Sequence, residues 1–159
     1  MLCAIISDSH GALDRLEEAL GNLKNGGVTE VIHAGDFALG AIVDLLQKFP
    51  QLNFHIARGN CDVDEETLAK IKQLPNVELG EILQFELDSS KFAVAHKVED
   101  LNEIQSAEIF VSGHTHIPQA KKVGRKLFLN PGSLQDDGGY FLLNLDNLEV
   151  ERRLFSEKM

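Results

Sequence analysis

The chain of 159 residues has no tryptophan, one tyrosine, two cysteines and four prolines. Two thiols cannot make a disulfide framework. Cys3 lies in an apolar run and Cys61 in a polar stretch, which is the pattern of reduced cysteines. Long apolar runs are missing too. The first stops at Ser7, and no basic region precedes it, so neither a secretion signal nor a membrane span is expected. A cytoplasmic location follows as the expectation. Positive charge is also scarce: 15 Lys and Arg against 25 Asp and Glu give a net −10. Such a surface repels nucleic-acid backbone and anionic membrane, so neither is an expected partner. There is no repeat, low-complexity tract or linker, and the 43% hydrophobic share permits a sizeable core. The expectation is one domain over 1–159, with a homo-oligomer left open.

The apolar residues that are present fall into two patterns. Residues 2–7 are a short continuous apolar run, as in a strand buried on both faces, and 31–34 and 52–57 read as a second buried strand and a third strand. Between them, Leu13, Leu16, Leu20 and Leu23 share a helical face that Asn25-Gly26-Gly27 ends, and Ile42 to Phe49 carries a second helix closed by Pro50. Asp64 is placed to cap a third helix carrying Leu68, Ile71 and Leu74. Three β–α units in a row predict a mostly parallel sheet. The second half reads as strands at 83–87, 91–96, 108–112, 119–123, 126–129, 140–145 and 148–154, with one short helix at 101–106. Gly124-Arg125 and Asp146-Asn147 have the character of two-residue hairpin turns. The expected fold class is α/β, with two sheets face to face and helices outside.

Polar residues crowd the carboxyl ends of these strands. DSHG (8–11), GD (35–36), GNCD (59–62), His96 and GHTH (113–116) each follow a strand. In open α/β sheets, ligands bind outside the carboxyl ends of strands. Residues i and i+2 of an extended segment point the same way, so Asp8 with His10, and His114 with His116, are each expected to reach one point. The set comprises two carboxylates (Asp8, Asp36), one amide oxygen (Asn60) and four imidazoles (His10, His96, His114, His116). Nitrogen and oxygen donors without sulfur suit Mn²⁺, Fe, Zn²⁺, Ni²⁺ or Mg²⁺. Seven donors exceed one tetrahedral site but suit two adjacent metals sharing a carboxylate. His33 and His55 lie inside strands two and three and are read as core or supporting groups, His55 among apolar neighbours.

In this order the motifs, closing with NPGS (130–133), resemble the calcineurin-like metallophosphoesterases, in particular the small single-domain bacterial and archaeal phosphodiesterases. The resemblance implies a four-layer α/β/β/α sandwich with two mixed sheets and two divalent metal ions, manganese being the first expectation. Asp8, His10 and His116 would hold one metal and Asp36 would bridge. Asn60, His96 and His114 would hold the other, with Asn60 also orienting phosphate and NPGS shaping the floor of the site. The implied activity is hydrolysis of a small phosphate ester, as a phosphodiesterase, by a metal-bridging hydroxide. A phosphomonoesterase on the same site, and a non-catalytic scaffold for protein partners as in the retromer subunit of this fold, are the alternatives. The sequence departs from the broader pattern at Cys61, where a general-acid histidine often stands, and at Lys97, where glycine usually follows the strand-end histidine. Lys97 and Arg58 are either phosphate contacts or solvated and ion-paired surface.

Overall fold

In the computed structural model, which describes all 159 residues, five strands and three helices alternate first: β1 (Leu2–Ile6), α1 (Leu13–Asn25), β2 (Glu30–His33), α2 (Ile42–Gln47), β3 (Asn53–Ala57), α3 (Glu65–Lys72), β4 (Val77–Gly80) and β5 (Ile82–Leu87). Then come β6 (Ser90–Ala95), a 3₁₀ turn (Val98–Leu101), β7 (Ile109–Val111), β8 (Gln119–Val123), β9 (Lys126–Asn130), β10 (Gly139–Asn144) and β11 (Glu149–Leu154). The strands form two sheets, ordered β11-β10-β1-β2-β3-β4 and β5-β6-β7-β9-β8. In the first, β1 to β4 run parallel and β10 and β11 return antiparallel. In the second, β6, β7 and β9 are parallel, with β5 and β8 antiparallel at the edges. Both sheets are mixed, as expected.

The period of two along each strand separates the layers. Ala4 and Ile6 of β1, Phe54 and Ile56 of β3, and Tyr140 and Leu142 of β10 face the helices, joining Leu16, Leu20 and Leu23 of α1. Their neighbours Cys3, Ile5, Phe141 and Leu143 face the other sheet and meet Phe92, Val94, Ile109, Val111, Leu127 and Leu129. A fourth, thinner layer covers the far side of the second sheet: the 3₁₀ turn sets Leu101 over Ala93, Ala95 and Phe110. Burying one such Leu or Ile contributes roughly 1.5–3 kcal/mol. The inter-sheet core holds the sheets face to face, so the carboxyl ends of β1, β2, β3, β6 and β7 meet at one edge.

Helix α1 stops where its sequence says it should. Gly27 takes a left-handed φ of 80°, Val28 N–H donates to Leu23 O at 3.0 Å and Gly27 N–H to Lys24 O at 3.1 Å. That pair of hydrogen bonds closes the last turn and turns the chain into β2. Three expectations need correction. The short helix at 101–106 is instead the 3₁₀ turn Val98–Leu101, closed by Asp100 N–H to Lys97 O, because apolar positions there are too few to seat an α-helix. The loop after β10 spans four residues rather than two, with Leu148 at φ 59°. Strand β4, a half-exposed edge of four residues, went unread beside Pro75.

The β5–β6 hairpin turns on Asp88 and Ser89, at φ 47° and 67°, a left-handed pair that a twisted two-residue hairpin requires. Replacing Ser89 with glycine removes the Cβ penalty there, so Ser89→Gly should raise stability by about 0.5–1 kcal/mol in urea unfolding. A variant less stable than the parent would contradict this account of the turn.

Candidate metal centre

Seven polar side chains stand just past strand ends: Asp8 and His10 after β1, Asp36 after β2, Asn60 after β3, His96 after β6, and His114 and His116 after β7. The fold brings all seven together as two touching clusters. In the first, Asp8 Oδ1 lies 3.1 Å from His116 Nε2 and 3.4 Å from His10 Nε2, and those two ring nitrogens are 3.3 Å apart. In the second, Asp36 Oδ2 lies 3.1 Å from His96 Nε2, which is 3.2 Å from His114 Nδ1, itself 3.1 Å from Asn60 Oδ1. Asp36 Oδ2 also approaches His10 Nε2 at 3.6 Å, so this carboxylate sits between the clusters.

The expected extended geometry is not what makes these side chains converge. Asp8, His10, Asp36, His114 and His116 all have left-handed backbones, at φ 52°, 41°, 62°, 69° and 61°. A non-glycine residue there costs of order 1–3 kcal/mol and persists only where its surroundings hold it. His114 and His116 consequently diverge into different clusters instead of sharing one point.

Several residues hold the strained loops. The Asp62 carboxylate accepts the N–H groups of Asp36 (2.8 Å), Gly59 (2.7 Å) and Ala38 (2.7 Å), tying the loop after β3 to the loop after β2. Asn130 Nδ2 donates to Gly113 O and Thr115 Oγ1, and Ser133 Oγ donates to Asp8 O, so the NPGS segment fastens the loops after β7 and β1. Gly113 is needed for close approach, since a Cβ there would fall on Ser7 Oγ and Asp8 Oδ2.

The donor chemistry fits a cation. Asp8 is fully buried, yet its Oδ1 receives no directed hydrogen bond, while Oδ2 is taken by Ser7 Oγ and His114 N–H. A buried carboxylate oxygen left so is costly unless something positive faces it. Two imidazoles are tied at the far ring nitrogen. His96 Nδ1 donates to Ala34 O at 2.7 Å, and His116 Nδ1 donates to Asp136 Oδ2 at 2.7 Å, which aims each Nε2 inward. Burial works to raise the Asp36 pKa, but hydrogen bonds from His96 and the Cys61 N–H, with the nearby histidines, outweigh it. The group stays ionised well below the usual carboxylate range. For His96, burial works downward and is outweighed by Asp36 and the Ala34 carbonyl, so it holds a proton more readily than a free imidazole. Asp8, His10 and His116, and separately Asp36, His96 and His114, can each hold a metal ion.

The remaining candidates sort by position. His33 is buried, accepts the Gly35 N–H on Nδ1 and donates from Nε2 to Ser9 Oγ, a supporting role behind the loop after β1. His55 departs from its expected apolar setting: it stacks on Phe85 at 4.1 Å but bonds Glu30 (2.9 Å) and Glu78 (3.2 Å), away from the centre. Arg58 donates to Asp62 O and pairs with Glu65, the ion-paired reading. Lys97 is exposed beside the centre. Cys61 is exposed, its backbone N–H bonds Asp36 Oδ1 at 2.9 Å, and its thiol is pushed up by burial and then by the Asp36 charge, so it stays protonated. Asp136 and the threefold role of Asp62 were missed. Asp62 stood inside GNCD, and a carboxylate behind a ligating histidine is a general need, but no spacing pointed to Asp136.

Two sheets face to face, with histidines and carboxylates gathered at one shared edge, are the mark of a metal-dependent phosphoesterase. The family profile agrees: the calcineurin-like phosphoesterase superfamily domain matches residues 1–147, and the chain belongs to that superfamily of phosphoester hydrolases. It is 28% identical to a phosphodiesterase of Methanocaldococcus jannaschii over 141 residues, 83% of either chain. It is 29% identical to a probable metallophosphoesterase of Bacillus subtilis, covering 96% of this chain and 89% of the other. The solved structure of an archaeal phosphodiesterase superposes with a TM-score of 0.83 at 24% identity, over 96% of this chain and 99% of that one. Zinc-bound Vps29 from Entamoeba histolytica shares the fold at a TM-score of 0.63 and 22% identity, over 98% of this chain and 99% of its own.

Removing the Asp62 carboxylate strands three N–H groups without removing any of the seven donors. Asp62→Ala should therefore cost about 3–5 kcal/mol in urea unfolding and lower the metal bound per chain by mass spectrometry. Unchanged stability would show that the clamp does not hold the loops. Burial pushes His33 down to about 4, against the opposing pull of Asp62 and Asp8. The unfolded chain takes up that proton near pH 6.5 and the folded one does not, so stability falls as pH drops from 6.5 towards 4. The loss is on the order of 3 kcal/mol. With chelator present, His33→Asn should flatten this part of the stability–pH curve; an unchanged slope would assign it elsewhere.

Proposed function

We propose that the chain is a phosphodiesterase working with two divalent cations. Asp8, His10 and His116 would hold one, Asn60, His96 and His114 the other, and Asp36 would be shared between them. The observation that carries this reading is the pair of histidine–carboxylate clusters meeting at Asp36, with the buried Asp8 Oδ1 left facing them unpartnered. When bound, the two ions supply Lewis acidity for the phosphoryl oxygens and water activated near neutral pH.

The protein's own residues do the positioning. Asp136 and the Ala34 carbonyl keep His116 and His96 in the tautomer that presents Nε2 inward. Asp62 and Asn130 hold the donor loops rigid, so little reorganisation accompanies charge development. Asn60, at the exposed rim beside His114, would offer its amide N–H to a phosphate oxygen. Two divalent ions against the carboxylates of Asp8 and Asp36 leave a positive centre in a chain of net −10, which directs an anionic ester to this one edge. Manganese is the ion we propose, given the nitrogen and oxygen donors. We propose a cytoplasmic setting, where the free thiols of Cys3 and Cys61 would stay reduced.

A non-catalytic scaffold is the competing reading, prompted by the shared fold of Vps29. The full set of seven donors argues against it, because a scaffold has no use for strained ligand loops. With Mn²⁺, hydrolysis of bis(4-nitrophenyl) phosphate should exceed that of 4-nitrophenyl phosphate. Asp36→Ala should lose at least one metal per chain and roughly 10³-fold in rate. A fully active, metal-free Asp36→Ala protein would end the proposal; a faster monoester rate would make the enzyme a phosphomonoesterase.

A further inference from the structure

Beside the metal centre, Asn60 and His96 open onto a cleft of about 440 Å³, within the size range of small-molecule sites. The rest of its wall holds Arg58, Lys97, Glu81 and Asp100, with the aliphatic side chains of Val63 and Ile82. Three elements build it: the loop from β3 into α3, the β4–β5 junction, and the segment from β6 into the 3₁₀ turn. None of these side chains belongs to the two donor clusters except Asn60 and His96.

The cleft wall carries two cations and two carboxylates, but one of the cations is turned to other partners. Arg58 is committed, donating to Asp62 O and pairing with Glu65. Lys97, Glu81 and Asp100 make no ion pair or side-chain hydrogen bond, which leaves two carboxylates against one ammonium. Val63 and Ile82 are 69% and 46% exposed, aliphatic surface left open at the cleft. A phosphodiester seated at the centre has two alcohol arms, and this cleft is the adjoining space large enough to receive one.

Resting on the phosphodiesterase reading, we propose that the cleft selects the second alcohol of the substrate: a small aliphatic arm ending in hydrogen-bond donors, an ammonium above all, and never a second anion. The aliphatic stem packs on Val63 and Ile82, and the donors meet Glu81 and Asp100. An anionic arm meets two unpaired carboxylates in a chain already at −10, and one lysine does not cancel them.

Three 4-nitrophenyl phosphodiesters test this, their second alcohols being two-carbon arms ending in an ammonium, a hydroxyl or a carboxylate. The parent protein should favour the ammonium arm over the carboxylate arm by about tenfold or more in kcat/KM, chiefly through KM. In the Glu81→Gln, Asp100→Asn double variant that ratio should fall below about threefold, with metal content by mass spectrometry unchanged as the control for folding. A parent that cleaves bis(4-nitrophenyl) phosphate but treats all three arms alike overturns the arm assignment alone. So does a preference that survives the double variant. A metal-loaded parent that cleaves no diester overturns the phosphodiesterase reading, and the arm assignment falls with it.

Discussion

The structure depends on holding five polar residues in a backbone conformation that none of them prefers. Asp8, His10, Asp36, His114 and His116 are all left-handed, and each sits where a strand runs out. The strain is local but its restraint is not. Asp62 reaches across from the loop after β3, Asn130 from the end of β9, and Ser133 from the loop beyond it. Each restraint is a hydrogen bond between segments far apart in sequence. Asp62 works within the first sheet and Asn130 within the second, while Ser133 Oγ to Asp8 O and the His114 N–H to Asp8 Oδ2 tie the two together.

That arrangement explains the division of labour between the layers. The helix-side core and the inter-sheet core carry the burial, and away from the carboxyl edge they admit few polar groups, among them the Tyr140 hydroxyl and the Glu30–His55 pair. Glycine appears there for a steric reason: at 59 and 113 any side chain would displace a carboxylate oxygen of Asp36 or Asp8. An acidic exterior and a centre built for positive charge are compatible because the carboxylates of the centre are buried while the excess acidic groups are spread over the surface.

Much of this was legible in the sequence. Short runs rich in apolar residues, continuous only in β1, marked β1, β2 and β3, and the leucine spacing with Gly26-Gly27 marked α1 and its end. The seven donors were readable because each followed such a run. What was not legible has physical causes. Periodicity says that a strand ends but not which backbone region the next residue adopts, so the convergence of Asp8 with His10 was assigned to extended geometry when left-handed turns produce it. Edge strand β4 buries too little to show a pattern. Asp136 acts on His116 from 20 residues away, a contact that only the folded chain creates. His55 looked apolar in sequence because its carboxylate partners belong to neighbouring strands.

Because the candidate donors at positions 8, 10, 36, 60, 96, 114 and 116 follow strands of both sheets, no fragment of the chain can assemble the centre by itself. Any ion held between them is linked by mass action to the whole domain, adding RT ln(1 + [M]/Kd) to its stability rather than firming up one loop. An ion held there would couple the strand ends of both sheets, so its occupancy would act as a lock on global unfolding.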